Sequence, residues 1–189
     1  EIVDANQDKD AIALLEKKTE NTEKIVKEGA EYYRNLGNLT FSNDTQKSLK
    51  AYRRSTQLDP DNVDGWNRLG ILLQRTGETS EAISAYQTVV RLGQEHKNQE
   101  EMAKGYGNLG NVCQTRGDLD KAIEYHDKAL EINESLGRKE GIAANYGNLG
   151  IVYDKRGDLD KAIQFYSKAL EIHESLGRME GVAIQYGNL

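Results

Sequence analysis

The chain repeats itself with a period of 40 residues, and this repetition restricts the fold more than any other feature. Residues 103–142 and 143–182 are identical at 27 of 40 positions. The pentapeptide YGNLG, or a close relative of it, begins at residues 33, 66, 106 and 146, and its first four residues, YGNL, stand at 186–189. A fixed period of roughly 20–50 residues is typical of solenoids and arrays, so every local motif must be interpreted within the period.

Within one period the apolar residues are spaced as on one face of a helix. With residue 143 as position 1, this face consists of positions 4, 7, 8 and 11, which are Tyr146, Leu149, Gly150 and Tyr153. Gly157 then favours a helix end, and Asp158 is a good amino-terminal cap for a second helix. We therefore predict two antiparallel helices per period. Such a pair is too small to bury its apolar faces alone, so neighbouring pairs must stack.

This pattern resembles the tetratricopeptide repeat, which is marked by aromatic, Leu, Gly and Ala residues at fixed positions. The copy from residue 63 carries Trp66, Leu69 and Gly70 in that register, whereas the next copy has Cys113 and His126 in place of aromatic residues. The period is longer than the family's usual length of about 34 residues. It is similar to that of kinesin light chains, Pins-type scaffolds and bacterial signalling proteins. The resemblance implies an all-α, right-handed superhelical solenoid of antiparallel helix pairs.

The register divides the chain into consecutive segments. We predict an amino-terminal helical segment, interpreted as a degenerate half-repeat, then four repeats and the truncated start of another, at 1–29, 30–62, 63–102, 103–142, 143–182 and 183–189. The first full repeat should be the least regular, because its turn is one residue short and serines replace the small alanines. No polar capping helix follows the last repeat. We therefore expect that residues of the natural protein are missing or that another molecule covers this end.

The stretch GYGNLG at 105–110 has the glycine spacing of a dinucleotide-binding loop. Such a loop needs a strand before it and a helix that begins in it. The preceding sequence, EHKNQEEMAK, favours a polar helix, and the copies at 65–70 and 145–150 each lack one of the glycines. We therefore interpret these glycines as packing positions. Position 8 should face the small alanines of the second helix, and position 5 should let successive first helices approach closely.

The face of the first helix opposite the core is the candidate binding surface. In stacked helix pairs, positions 2, 6, 9 and 13 would line the concave side. Position 6 is Asn in four of five copies, and an amide can both donate and accept hydrogen bonds. Such a ladder suits an extended peptide backbone, which similar asparagines bind in the families that the chain resembles. The candidate groove residues are Asn35, Asn38, Arg68, Arg75, Lys104, Asn108, Asn111, Asn148, Lys155 and Asn188.

Two alternatives for this surface stay open. The asparagines could instead hydrogen-bond between neighbouring first helices and hold the repeats in register. The four basic residues of the set either favour an acidic partner or are ordinary solvated surface.

Composition narrows the classes of function. A net charge of −6 disfavours general attraction to nucleic acid, and no apolar stretch approaches the length of a membrane span. The single cysteine, Cys113, cannot form an internal disulfide, and His96, His126 and His173 lack metal-ligand spacing. We expect His126 and Cys113 to be core residues. The sequence predicts no catalytic site, no metal site and no cofactor. No signal peptide is visible, although the chain begins at Glu1 without Met.

We predict a cytoplasmic, non-catalytic scaffold that binds an extended peptide or partner segment in its concave groove. Two alternatives come from other classes of protein. One is a regulatory or sensory segment of a larger signalling enzyme. The other is a self-assembly module that associates through its uncapped ends.

Overall fold

The computed structural model describes the backbone of residues 2–189 and the side chains from residue 14 onward. This part of the chain is all-α, as predicted, and contains no strand. Its helices are α1 (Ile2–Thr40), α2 (Thr45–Leu58), α3 (Val63–Arg75), α4 (Thr79–Glu95), α5 (Gln99–Arg116), α6 (Leu119–Ser135), α7 (Lys139–Arg156), α8 (Leu159–Ser175) and α9 (Met179–Asn188). None of the helices in this part of the chain has the length and apolar character that crossing a membrane requires.

The helices pack pairwise in chain order within two compact units, Glu1–Leu69 and Gly70–Leu189. In the first unit, α2 packs antiparallel on the carboxyl-terminal part of α1. In the second unit, each helix from α4 to α9 packs on the next, and α5 also contacts α7. The division into repeats at 30–62, 63–102, 103–142 and 143–182 stays a prediction.

Glycines end the helices where the repeat register predicts. Gly117 and Gly157 follow α5 and α7 with φ of 83° each, in the left-handed region that glycine adopts without strain. The Asp158 carboxylate accepts a hydrogen bond from the Lys161 amide at 3.3 Å, as a helix cap does. The ends of these helices are therefore determined by local residues, namely glycine after a helix and aspartate before one.

The glycine at position 8 lies beneath an aromatic ring, which corrects the expected contact with alanines. A Cβ atom on Gly70 would lie 2.5 Å from the ring of Tyr86, and one on Gly110 would lie 2.5 Å from the ring of His126. Glycine is needed here because the ring at position 24 occupies the space of a side chain. At position 5 the expectation of close approach between successive first helices holds for Gly147, where a Cβ atom would lie 3.2 Å from the Gln185 side chain of α9. It fails for Gly107, where a Cβ atom would meet nothing within 4 Å.

The amino-terminal region differs from the later repeats in the length of its first helix, which has 39 residues. Helix α1 is uninterrupted from Ile2 to Thr40, so the alignment of residues 1–29 with a half-repeat stays a prediction. Ser48 and Ser55 are buried and donate to the carbonyl oxygens of Gly37 and Ala30 at 2.8 and 2.9 Å. These bonds satisfy both hydroxyls against α1, which explains how serine can replace the small alanines.

Candidate peptide-binding groove

The predicted groove residues lie on first helices of the repeats in both units. Three of them, Asn35, Asn38 and Arg68, belong to the first unit, and the other seven belong to the second. In the second unit, Asn111 and Asn148 are half-exposed on α5 and α7, which contact each other. Asn188 is exposed on α9.

The amides of Asn111, Asn148 and Asn188 make no side-chain hydrogen bond to the described part of the chain. Each amide therefore keeps two donors and an acceptor for another molecule or for water. Hydrogen bonds between neighbouring first helices, the alternative role, are not formed by Asn148 or Asn188. In the first unit the situation differs, because Asn38 accepts a hydrogen bond from the Tyr52 hydroxyl at 2.6 Å.

The basic residues of the set are partly neutralised by neighbours on their own helices. Lys104 lies 3.1 Å from Glu100 and 3.3 Å from Glu101, and Arg68 lies 3.1 Å from Asp64. Burial alone would lower the pKa of Lys104, but the hydrogen bond and charge of Glu100 and the charge of Glu101 raise it above its usual range. Lys155 is exposed and forms no ion pair with the described residues. The positive character of the surface is therefore smaller than its four cations suggest.

Apolar side chains accompany the asparagines on the same face. Ile71 and Ile151, at position 9, are half-exposed, and Ile184 at position 2 is 55% exposed. The sequence placed these residues on the face, but the list of candidate residues omitted them because it emphasised polar groups. Together they offer an apolar surface beside amides that can bind a backbone.

A second repeated surface was not anticipated from the sequence. The rings of Tyr106 and Tyr125 stack with centroids 6.2 Å apart, and the ammonium of Lys128 lies 5.7 and 5.6 Å from them. One period later, Lys168 lies 5.2 and 5.4 Å from the rings of Tyr146 and Phe165. The signal was present as a lysine three residues after an aromatic residue in both copies. Because each ring already has an intramolecular cation, this surface is explained as repeat packing.

The side chains considered for chemistry are structural. Cys113 is buried as predicted, and burial raises the pKa of its thiol, which disfavours the reactive thiolate. His126 is completely buried, as predicted, and neither ring nitrogen has a hydrogen-bond partner. Among the described residues, no group of His, Cys, Asp and Glu side chains could hold a metal ion.

Comparison with protein families gives two matches, at residues 101–175 and 51–84, and both families are described as tetratricopeptide repeat. Together the matches cover more than half of the chain. The comparison with curated protein sequences finds no match.

Several solved structures share the fold. Aspartyl phosphate phosphatase F from Bacillus subtilis is 17% identical, with a TM-score of 0.76 over 85% of this chain and 44% of that chain. BtubC (BKLC) from P. vanneervenii is 19% identical, with a TM-score of 0.67 over 89% of this chain and 83% of that chain. The TPR domain of Arabidopsis FLU is 28% identical, with a TM-score of 0.57 over 60% of this chain and 95% of that domain. The chain thus spans less than half the length of the phosphatase that it matches.

Proposed function

The chain belongs to the tetratricopeptide repeat family, and from this premise we propose that it is a non-catalytic scaffold that binds an extended peptide along α5, α7 and α9. The resemblance to kinesin light chains and Pins-type scaffolds stays a prediction, as does a cytoplasmic location. The alternative is that the chain is a segment of a larger signalling enzyme. In its favour, the chain matches only 44% of the length of the phosphatase.

The main support for peptide binding is that the side-chain amides of Asn111 and Asn148 have no hydrogen-bond partner in the described part of the chain. Both are half-exposed on helices that contact each other, and Ile151 lies on the same face. Neighbouring helix axes are about 8–10 Å apart, which equals about three residues of extended peptide at about 3.3 Å each. Amides on successive first helices could therefore bind the backbone of one peptide at every third residue or so. Side chains of the peptide would then contact the isoleucines.

The structure favours a peptide of little net charge over a strongly acidic one. Lys104 already has two carboxylate partners, Glu100 and Glu101, whose negative charges offset its own. Lys155 lies at position 13, toward the end of α7, and forms no ion pair with the described residues. An acidic group on the peptide would be recognised at this edge of the groove and not along its length.

The test is a peptide selected for binding to the 189-residue chain from a random library, with its affinity then measured by fluorescence polarisation. The variant Asn111→Ala with Asn148→Ala should weaken binding about 30-fold, since two lost hydrogen bonds of about 1 kcal/mol each amount to about 2 kcal/mol. Asn43→Ala removes an exposed amide in the turn after α1 and is the matched control. Unchanged affinity in the double variant would contradict the proposal.

A further inference from the structure

Helix α1 carries an apolar stripe that nothing in the described chain covers. Leu14, Ile25, Tyr32 and Leu39 are 56%, 68%, 63% and 78% exposed. Their spacings of 11, 7 and 7 residues place them within about 20° of one line along the helix, at about 100° per residue. The stripe is about 37 Å long at about 1.5 Å per residue. Scattered exposed apolar residues are ordinary, but four in one line form a surface that can accept another helix.

The amino-terminal part of α1 extends beyond its packing partner. Helix α2 ends near Gly29, where an added Cβ atom would lie 3.5 Å from Leu58, so residues 14–28 project about 20 Å beyond it. An isolated helix of this length is only marginally stable in water. A second helix along the stripe would provide the missing burial.

The stripe coincides with the face that accepts a neighbouring helix in later repeats. Tyr32 and Leu39 stand at positions 3 and 10 of their repeat. Position 3 of α5 is Gly105, where a Cβ atom would lie 2.6 Å from Val90 of α4, and position 10 of α7 is the fully buried Val152. In each of these cases the preceding second helix covers the face. In α1 the same face is open among the described residues.

We propose that α1 of a second copy of this chain occupies the stripe, antiparallel to the first. Although the whole chain has a charge of −6, residues 14–40 contain five basic and five acidic side chains, so two such helices do not repel each other. A second α1 also has the required length. The second helices of the repeats have 17 residues, or about 25 Å, and would leave part of the stripe exposed.

One antiparallel register is complementary at both ends and along its flank. It brings Leu14 opposite Leu39 of the second copy, and Leu15 opposite Leu36. On one flank it brings Lys24 opposite Glu31 of the second copy. Because the arrangement has two-fold symmetry, each of these pairs occurs twice. The centre is more polar, because the same register places Ile25 opposite Glu28, Tyr32 opposite Asn21 and Lys18 opposite Asn35. We therefore expect a weak dimer.

Sedimentation equilibrium of the 189-residue chain between about 1 and 500 µM tests the proposal. The average mass should rise from that of one chain to that of two, and Tyr32→Glu with Leu39→Glu should abolish the rise. Leu159→Glu on α8 is the matched control, because Leu159 is 59% exposed and lies outside α1. A monomer at every concentration would overturn the proposal and leave the face to a different protein. A dimer that survives the double variant would overturn it as well.

A charge exchange identifies the register, and its effect within one helix is small, because the Lys24–Glu28 pair that it removes is exposed and 4.0 Å long. Lys24→Glu and Glu31→Lys should each weaken the dimer about threefold to tenfold, because each places like charges opposite one another. The variant with both changes should recover the original dissociation constant. Failure of this recovery would exclude the antiparallel register. The groove variant Asn111→Ala with Asn148→Ala leaves α1 unchanged, so its result is independent of the dimer.

Discussion

Replacing His126 by tyrosine is expected to stabilise the protein, and the effect should grow as the pH falls. The equivalent position in the other repeats is Tyr52, Tyr86 or Tyr166, and all three are buried. The His126 ring occupies the same place above Gly110, but both of its nitrogens are buried without a hydrogen-bond partner. A neutral imidazole has a donor and an acceptor to satisfy, and leaving a polar group unsatisfied costs about 1–3 kcal/mol.

A tyrosine at position 126 would have no unsatisfied ring nitrogen, and its hydroxyl could form a hydrogen bond that is present in another repeat. The Tyr86 hydroxyl lies 3.4 Å from the side-chain oxygen of Gln74, to which it donates. Gln114 stands one period after Gln74, so a tyrosine at position 126 should reach it in the same way. At neutral pH we expect the free energy of unfolding to rise by about 1–2 kcal/mol.

A lower pH should enlarge the difference in folding stability between the His126→Tyr variant and the natural chain. Burial lowers the pKa of His126 from 6.5 to about 4. Between these values the unfolded chain binds a proton that the folded chain does not bind, so folding stability decreases as the pH falls through this interval. A pKa lowered from 6.5 to about 4 corresponds to about 3 kcal/mol of folding free energy, which the protein should lose as the pH falls through this interval. A tyrosine does not titrate in this interval and should lose none of it.

Urea unfolding followed by circular dichroism at several pH values between 7.5 and 4 measures both effects. His96→Tyr is the matched control, because His96 is exposed and the same substitution there should change stability little. The reasoning would be refuted if His126→Tyr were less stable than the natural chain at neutral pH. It would also be refuted if the difference between the two proteins stayed constant from pH 6.5 to pH 4.

Two further predictions concern packing in the second unit. Gly107→Ala should raise the free energy of unfolding by about 0.5–1 kcal/mol, because alanine favours the helix and a Cβ atom there meets nothing within 4 Å, whereas Gly110→Ala should lower it by about 1–3 kcal/mol against the His126 ring. Thermal unfolding of the Gly107→Ala and Gly110→Ala variants compares these effects directly. Equal changes in their stability would contradict the contact between Gly110 and the His126 ring. Asn133→Ala should cost about 1–3 kcal/mol, because it leaves the buried Asn145 side chain without its 2.8 Å hydrogen bond. Adding Asn145→Ala should cost less than a second independent loss, and strict additivity in a double-mutant cycle would contradict the pairing.

The helix ends and the core positions were predictable because they depend on local chemistry. Glycine in the left-handed region ends a helix wherever the chain places it, and Gly157 does so as the register indicates. Aspartate before a helix caps it through its own side chain, as Asp158 does. The apolar period of the first helix likewise predicted that Leu149 is buried.

Contacts between helices were less predictable, because they depend on how two helices cross. The sequence predicted alanines opposite position 8, but the structure has the position-24 ring there, as between Gly110 and His126. Nor does any residue pattern show how far α1 extends beyond α2, since Gly29 and Gly37 lie inside this helix and neither of them ends it. The exposed stripe on α1 follows from that extension and therefore required the structure.

The asparagines show most clearly what the sequence alone does not predict. Some of them are buried and hydrogen-bonded within the protein, whereas others are accessible and have no partner in it. Asn133 and Asn145 are buried and bond to each other, yet position 3 of the repeat changes from Gly105 to Asn145 to Gln185. Packing therefore tolerates different residues there. Position 6 keeps asparagine in four of five copies, although Asn148 and Asn188 have no side-chain partner in the described chain. Packing does not explain Asn148 and Asn188, and this contrast is what favours a ligand at these two positions.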